Sequence, residues 1–253
     1  MYFDFNIYSS LILPSAIHGV IFSILIFIYG RKEKMFIVLS GISFLFTLNI
    51  SYWLLESAGW NDSRDNYTLF LNYFPFTNIV LSGFLVWYFS KLLENPNFKL
   101  NFNNLKTWIL PFLFSIFHVV KLLVDFSIFY PFPIESYNNF GTFGPVAKFE
   151  LSNIFLILTQ SVFIIYLYFS IINLNYPIAY QRFTRNIKLL ILIYFGYSII
   201  NILVNFIGIF NPNNFSIIWM NKIKIPFNIL YLYIFSIIIF IHTIEFKVKN
   251  KFS

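Results

Sequence analysis

MYFDFNIYSSLILPSAIHGVIFSILIFIYGRKEK, residues 1–34, decides the fold class. From Ile7 to Tyr29 it holds no aspartate, glutamate, lysine or arginine. About 20 predominantly apolar residues suffice for a helix to cross the hydrocarbon core of a bilayer. The basic cluster Arg31, Lys32 and Lys34 follows the apolar run. A cleaved secretory signal has the opposite order, with positive charge first and a small-residue cleavage site after. The stretch therefore reads as an uncleaved first membrane span.

The rest of the chain repeats the pattern. Of 253 residues 58% are hydrophobic and 11% charged, against about 25% charged in soluble domains. Mean hydropathy is +0.73. Six further runs are long and apolar: Met35–Leu55, Phe74–Leu93, Trp108–Phe129, Leu151–Leu174, Leu189–Phe210 and Ile225–Ile244. Backbone groups in lipid must bond within their own segment, so each run is expected to be a helix. Short alternating strands of the transmembrane-barrel kind are absent. The expected fold is an all-α integral membrane protein with seven transmembrane helices over residues 1–246. A basic tail, residues 247–253, follows.

Charge sets the orientation. With the N-terminus outside, the inner segments hold twelve basic residues: Arg31, Lys32, Lys34, Lys91, Lys99, Lys106, Arg182, Arg185, Lys188, Lys247, Lys249 and Lys251. The outer segments hold four, Arg64, Lys148, Lys222 and Lys224. Cytoplasmic loops carry the excess of lysine and arginine. The N-terminus is thus expected outside and the C-terminus in the cytoplasm, in a bacterial inner membrane. The net charge of +7 is explained by orientation, without a nucleic-acid partner.

Motifs of catalysis are sparse. Zero cysteines exclude disulfides, thiolate metal sites and a catalytic thiol. His18, His118 and His242 fall in different spans, and no H-x-x-x-H or histidine–carboxylate spacing is expected to link them. Each is expected to be a singly hydrogen-bonded helix residue. Glycine-rich phosphate loops, nucleophile elbows and zinc-protease patterns are missing. No catalytic residue, metal or cofactor is assigned.

The candidate receiving surface starts in ESAGWNDSRDNYTLFLNYFPF, residues 56–76, assigned to the outer side. Glu56, Asp62, Arg64 and Asp65 mix there with Trp60 and Tyr67. Charged groups beside aromatic rings suit recognition of an amphipathic ligand, and the rings equally suit an interfacial aromatic belt. Lys121 and Asp125, four apart in the fourth span, share a helix face. They form either a charged pair lining an outward cavity or a self-neutralising pair at a helix end. Glu150, before the fifth span, completes the set. Gly83, Gly196 and Gly208 are expected to allow close helix contact, and Pro14, Pro75, Pro111 and Pro226 to lie in first helical turns. Asn49, Asn78, Asn153, Gln160, Asn201 and Asn205 are the polar residues that a transport path would use.

Four stretches occur in order: MYFDFNIYSSLILP (1–14), GWNDSRDNY (59–67), YFPF (73–76) and GFLVWYFSKLLEN (83–95). Together they resemble the N-terminal membrane region of Bacteroidota transcriptional regulators of the AraC type. In these a seven-helix membrane part precedes a cytoplasmic helix-turn-helix domain. The resemblance covers residues 1–95; beyond them it is topological. Phe84 follows Gly83 where a proline is common in that group, and Trp108 stands where a histidine often opens the fourth span. The tail EFKVKNKFS, residues 245–253, cannot form a helix-turn-helix. The resemblance implies a membrane sensory module without its DNA-binding output. Its partners would be the bilayer, a small-molecule ligand and a separate cytoplasmic output protein, with no direct nucleic-acid binding. A small transporter or channel is the alternative.

Overall fold

A computed structural model describes residues 7–57, 79–101, 105–129, 149–174, 181–210 and 223–249. Among them every regular element is helical: α1 (Ile7–Gly30), α2 (Lys34–Ser57), α3 (Ile79–Glu94), α4 (Leu105–Phe129), α5 (Phe149–Asn173), α6 (Gln181–Phe210) and α7 (Ile225–Lys249). Each coincides with one expected run. Four carry stretches long and apolar enough to cross a membrane: Ser10–Gly30, Lys34–Ser51, Gln181–Ile207 and Ile225–Val248. Shorter apolar stretches lie in α4 and α5, at Thr107–Phe117 and Ile157–Asn173.

Two boundaries move. Helix α6 begins at Gln181, ahead of the apolar run at Leu189, and reaches 30 residues, or about 45 Å. QRFTRNIK contains no glycine or proline to stop a helix, and its charged turns extend beyond the apolar part. Helix α7 similarly continues to Lys249. The expected start of the third span, Phe74, lies outside the described residues.

Six helices close on one another in the order α1, α2, α3, α5, α6, α7 and back to α1, with α2 also touching α7. Helix α4 lies outside this group, against α3. Phe36 and Phe46 on α2, Phe163 on α5, Phe183 on α6 and Phe235 on α7 fill the centre, all 7% exposed or less. The outward faces are also apolar: Ile17, Leu123, Ile172, Leu203 and Leu230 are each more than half exposed. Water would penalise such a surface, whereas hydrocarbon would not.

Small residues fill the seams instead. Ser15, Ser23, Ser40, Thr47, Ser236 and Thr243 are buried. Their hydroxyls mostly donate to carbonyls of the preceding turn, as Thr47 does to Ser43 O at 2.8 Å. Ser40 instead reaches across to Ser23 O on α1, also at 2.8 Å. Gly19 makes the closest approach. A Cβ there would stand 2.1 Å from Thr47 Oγ1 and 2.9 Å from Leu232 Cδ2. Gly83 behaves as expected, with Phe163 Cδ2 at 2.7 Å from such an atom. Gly196 does not, because nothing lies within 4 Å of its added Cβ. Gly208 is on α6, but its surroundings are outside the described residues.

The prolines also correct the sequence reading. Pro226 is in the first turn of α7, but Pro14 and Pro111 sit inside α1 and α4. A proline has no N–H for the carbonyl four residues earlier. For Pro111 that carbonyl is Thr107 O, and the Tyr166 hydroxyl on α5 donates to it. This cross-helix bond satisfies the freed acceptor and ties α4 to α5. Tyr166→Phe should therefore destabilise by about 1 kcal/mol, the usual net contribution of one hydrogen bond. In a Pro111→Ala background the restored N–H supplies the missing donor, so the same substitution should do much less. Unfolding in detergent, compared across the four variants, measures this coupling.

Candidate functional site

Trp60, Asp62, Arg64, Asp65 and Tyr67 lie outside the described residues, as do Asn78 and Pro75. Glu56, Lys121, Asp125 and Glu150 lie on α2, α4 and α5, and Asn153 on α5, but their side chains are outside the described ones. The backbone of α4 is helical through both Lys121 and Asp125. Their spacing thus gives one shared face.

Described polar chemistry concentrates elsewhere, along one side of α6. Asn186, Tyr194, Tyr197, Asn201 and Asn205 recur at three- to eight-residue steps, and the set spans 19 residues, about 28 Å of helix. That length is close to the ~30 Å of bilayer hydrocarbon. Helices α6 and α7 approach each other sparsely, so long polar and aromatic side chains bridge them.

At one end the bridge is Asn186–His242–Glu245. His242 Nδ1 lies 2.9 Å from Glu245 Oε2, and His242 Nε2 lies 3.1 Å from Asn186 Nδ2. A consistent assignment has Nδ1–H donating to the carboxylate and Nε2 accepting from the amide. The imidazole is buried and packs edge-on against Phe183 at 5.1 Å. Thus His242 has two partners rather than one, and a carboxylate three residues on. The H-T-I-E spacing was visible in the sequence and was the signal to follow.

This is also the basic end of the bundle. Phe36, just after the α1–α2 turn, packs on Phe183 at 5.9 Å and Phe246 at 5.4 Å. Lys247 Nζ lies 4.3 Å from the centre of the Tyr29 ring. Arg31, Lys32, Lys34, Arg182, Arg185 and Lys247 are carried on these converging helix ends.

Midway, the Tyr231 hydroxyl donates to Leu190 O at 3.2 Å. Above it the Tyr194 hydroxyl donates to Asn228 Oδ1 at 3.1 Å, and Asn228 Nδ2 donates to the Tyr197 hydroxyl at 3.1 Å and to Lys224 O at 2.7 Å. Asn201 bonds the same Tyr197 hydroxyl. Phe227 stacks on Tyr197 at 3.8 Å, and Tyr194 meets Tyr231 at 4.6 Å. Asn49 from α2 closes a cavity of about 10 Å³ with Phe46, Ile50, Tyr194, Asn228 and Tyr231. That is close to the smallest space that holds one water. Farther along, Asn205 Nδ2 donates to Gln160 Oε1 on α5 at 3.2 Å.

Asn201, Asn205, Gln160 and Asn49, selected as possible path residues, are therefore brought to the same side of α6; Asn201 bonds Tyr197, Asn205 bonds Gln160, and Asn49 lines the small cavity. Tyr194, Tyr197, Asn228 and Tyr231 were missed. Tyrosine was too abundant, at 17 residues, for any one to stand out. His18 is apart from this seam, on α1. Its Nε2 lies 2.9 Å from Ser236 Oγ, and its ring is sandwiched by Phe22 at 4.2 Å and Tyr233 at 4.1 Å. No protein-family model, curated protein or solved structure matches the chain.

Proposed function

We propose that this chain is a seven-span membrane sensory module, with its N-terminus outside and its C-terminus in the cytoplasm of a bacterial cell. It receives a small molecule from the outer side or from within the membrane. It passes the signal to a separate cytoplasmic output protein by shifting α6 against α7. The likeness of residues 1–95 to AraC-type regulators suggested the class, and no catalysis is assigned.

One observation carries the reading. The α6–α7 seam is held at separate levels by directional side-chain bonds and ring contacts between two backbones that approach only sparsely. Packed helices switch between discrete arrangements by shifts of about 1–2 Å, and side-chain bonds across widely spaced backbones exchange partners in such a shift. One end of the seam holds the Tyr197–Asn201 group and the other ends at His242 and Glu245 among basic helix ends. A ligand shifts such an equilibrium only by its differential affinity for the two arrangements.

The transport reading draws on the same amides, which would have to exchange their tyrosine partners for a solute. Two assays separate the readings. Spin labels at Arg185→Cys and Ile244→Cys in lipid nanodiscs report the basic ends of α6 and α7. A compound identified by thermal-shift screening should change their distance distribution, and Asn228→Leu should abolish the change. Solute uptake into proteoliposomes that is blocked by Asn201→Leu, without a distance change, would overturn the sensory reading.

A further inference from the structure

One face of α2 turns a polar residue toward the seam among apolar ones. Phe46, Asn49 and Ile50 stand three and four residues apart, so they share that face. Phe46 meets the ring of Tyr194 on α6 at 5.2 Å and that of Tyr231 on α7 at 5.7 Å. The cavity of about 10 Å³ lies where this face, α6 and α7 converge. Its wall combines apolar surface with polar atoms, and its polar members are Asn49, Tyr194, Asn228 and Tyr231.

Hydrogen accounting sets what the cavity can take. Tyr194 gives its proton to Asn228 Oδ1, and Tyr231 gives its own to Leu190 O. Asn228 uses both amide protons, on the Tyr197 hydroxyl and on Lys224 O. A phenol has one proton and an amide nitrogen two, so these three residues have none left. They keep lone pairs on the two hydroxyl oxygens and on Asn228 Oδ1. Asn49 differs. Its amide bonds no other described residue, and it offers both donors and an acceptor.

An occupant must therefore donate to the tyrosine–asparagine group and accept from Asn49. Water does both. It needs roughly 10–15 Å³ and about two to four polar partners, and the cavity supplies them. A sodium ion would also meet oxygen atoms, but no carboxylate lines the cavity to balance its charge. Burying an unbalanced charge is expensive.

We infer that this cavity binds one water molecule, which accepts a hydrogen bond from Asn49 Nδ2 and donates to Tyr194 Oη and Asn228 Oδ1. The α2 and α6 backbones do not run closely together, and here α2 meets the seam through the ring of Phe46. The water adds a polar tie between α2 and both seam helices. It does not depend on the sensory reading.

Radiolytic labelling of the full chain in lipid nanodiscs tests this. A brief X-ray pulse splits bound water into hydroxyl radicals, which add to the nearest rings and are read by mass spectrometry. Phe46 and Phe235 are a matched pair. Both meet the Tyr231 ring at 5.7 Å, and of the two Phe46 lines the cavity. Phe46, Tyr194 and Tyr231 should be labelled, whereas Phe235 and Phe163 should not. Asn49→Leu nearly keeps the side-chain size and removes its polar atoms, so labelling of all three should disappear. Asn49→Leu and Tyr194→Phe should also couple by about fivefold in the unfolding equilibrium constant, the equivalent of one hydrogen bond of about 1 kcal/mol. The described residues include no direct bond between the two side chains, so that coupling runs through the water. The wild-type pair decides even if Asn49→Leu does not fold. Equal labelling of Phe46 and Phe235, labelling unchanged in Asn49→Leu, or additive unfolding effects overturns the site. An unfolding midpoint that rises with sodium but not with potassium would place a cation there and overturn the water.

Discussion

Gly19→Leu is expected to destabilise the bundle by at least about 3 kcal/mol, the upper part of the range for overpacking a close-packed core. The Cβ alone would lie 2.1 Å from Thr47 Oγ1 and 2.9 Å from both Thr47 Cγ2 and Leu232 Cδ2. Three helices meet at that point, so no single side chain can move aside: Thr47 is on α2 and Leu232 on α7, both wholly or nearly wholly buried. Gly19→Ala should show the same effect at smaller size. Thr47→Ala removes two of the three nearest atoms, and in combination with Gly19→Ala should recover about 1 kcal/mol beyond additivity, as contacting pairs do. Gly196→Ala is the control. Its space is open, so the substitution should be neutral or stabilise by up to about 1 kcal/mol through helix propensity. SDS-induced unfolding followed by tryptophan fluorescence measures the series. Equal losses at Gly19 and Gly196 would show that helix packing at Gly19 is not as described.

Tyr231→Ala should cost about 3–5 kcal/mol, as removal of a buried aromatic ring generally does. The ring meets Tyr194, Phe46, Phe227 and Phe235 at centroid distances of 4.6, 5.7, 6.0 and 5.7 Å. From α7 it thus contacts rings on both α2 and α6. Tyr231→Phe keeps these contacts and loses only the hydroxyl bond to Leu190 O, so about 1 kcal/mol is expected. A large effect of the phenylalanine variant would mean that the polar bond, rather than the ring, joins α6 to α7 at this level. A large effect of the alanine variant alone supports an aromatic pivot between the two polar ends of the seam.

The helices were legible because lipid-suited sequences are simple. Ile7–Tyr29 has no charge, and its helix runs to Gly30, next to the basic turn. The α6 boundary was misplaced because Gln181–Lys188 is polar, and hydropathy marks the hydrocarbon rather than the helix. Pro14 and Pro111 were assigned to first turns because they lie near the starts of the apolar runs, whereas Pro14 is the eighth residue of α1 and Pro111 the seventh of α4; a sequence does not reveal that Tyr166 lies beside Thr107. Gly19 was passed over for the same reason: close approach belongs to a pair of helices, not to a residue. Asn201 and Asn205 were selected as polar residues within an apolar run, but their partners Tyr197 and Gln160 became visible only in the fold. Selection of Asp62, Lys121 and their neighbours depended on loop composition and charge, which carry no geometry.

The sensory reading depends on helices that cross a bilayer with the basic ends inward. Substituted-cysteine labelling tests this most directly, and the chain has no native cysteine to give background. Single cysteines replace Asn66, Asn138 or Asn213 on the proposed outer side, and Lys32, Asn97, Arg185 or Lys251 on the proposed inner side. A membrane-impermeant maleimide applied to intact spheroplasts should label the first three and reach the other four only after permeabilisation. Labelling of Lys32→Cys or Arg185→Cys in intact spheroplasts, or protection of Asn213→Cys, would contradict the seven-span arrangement.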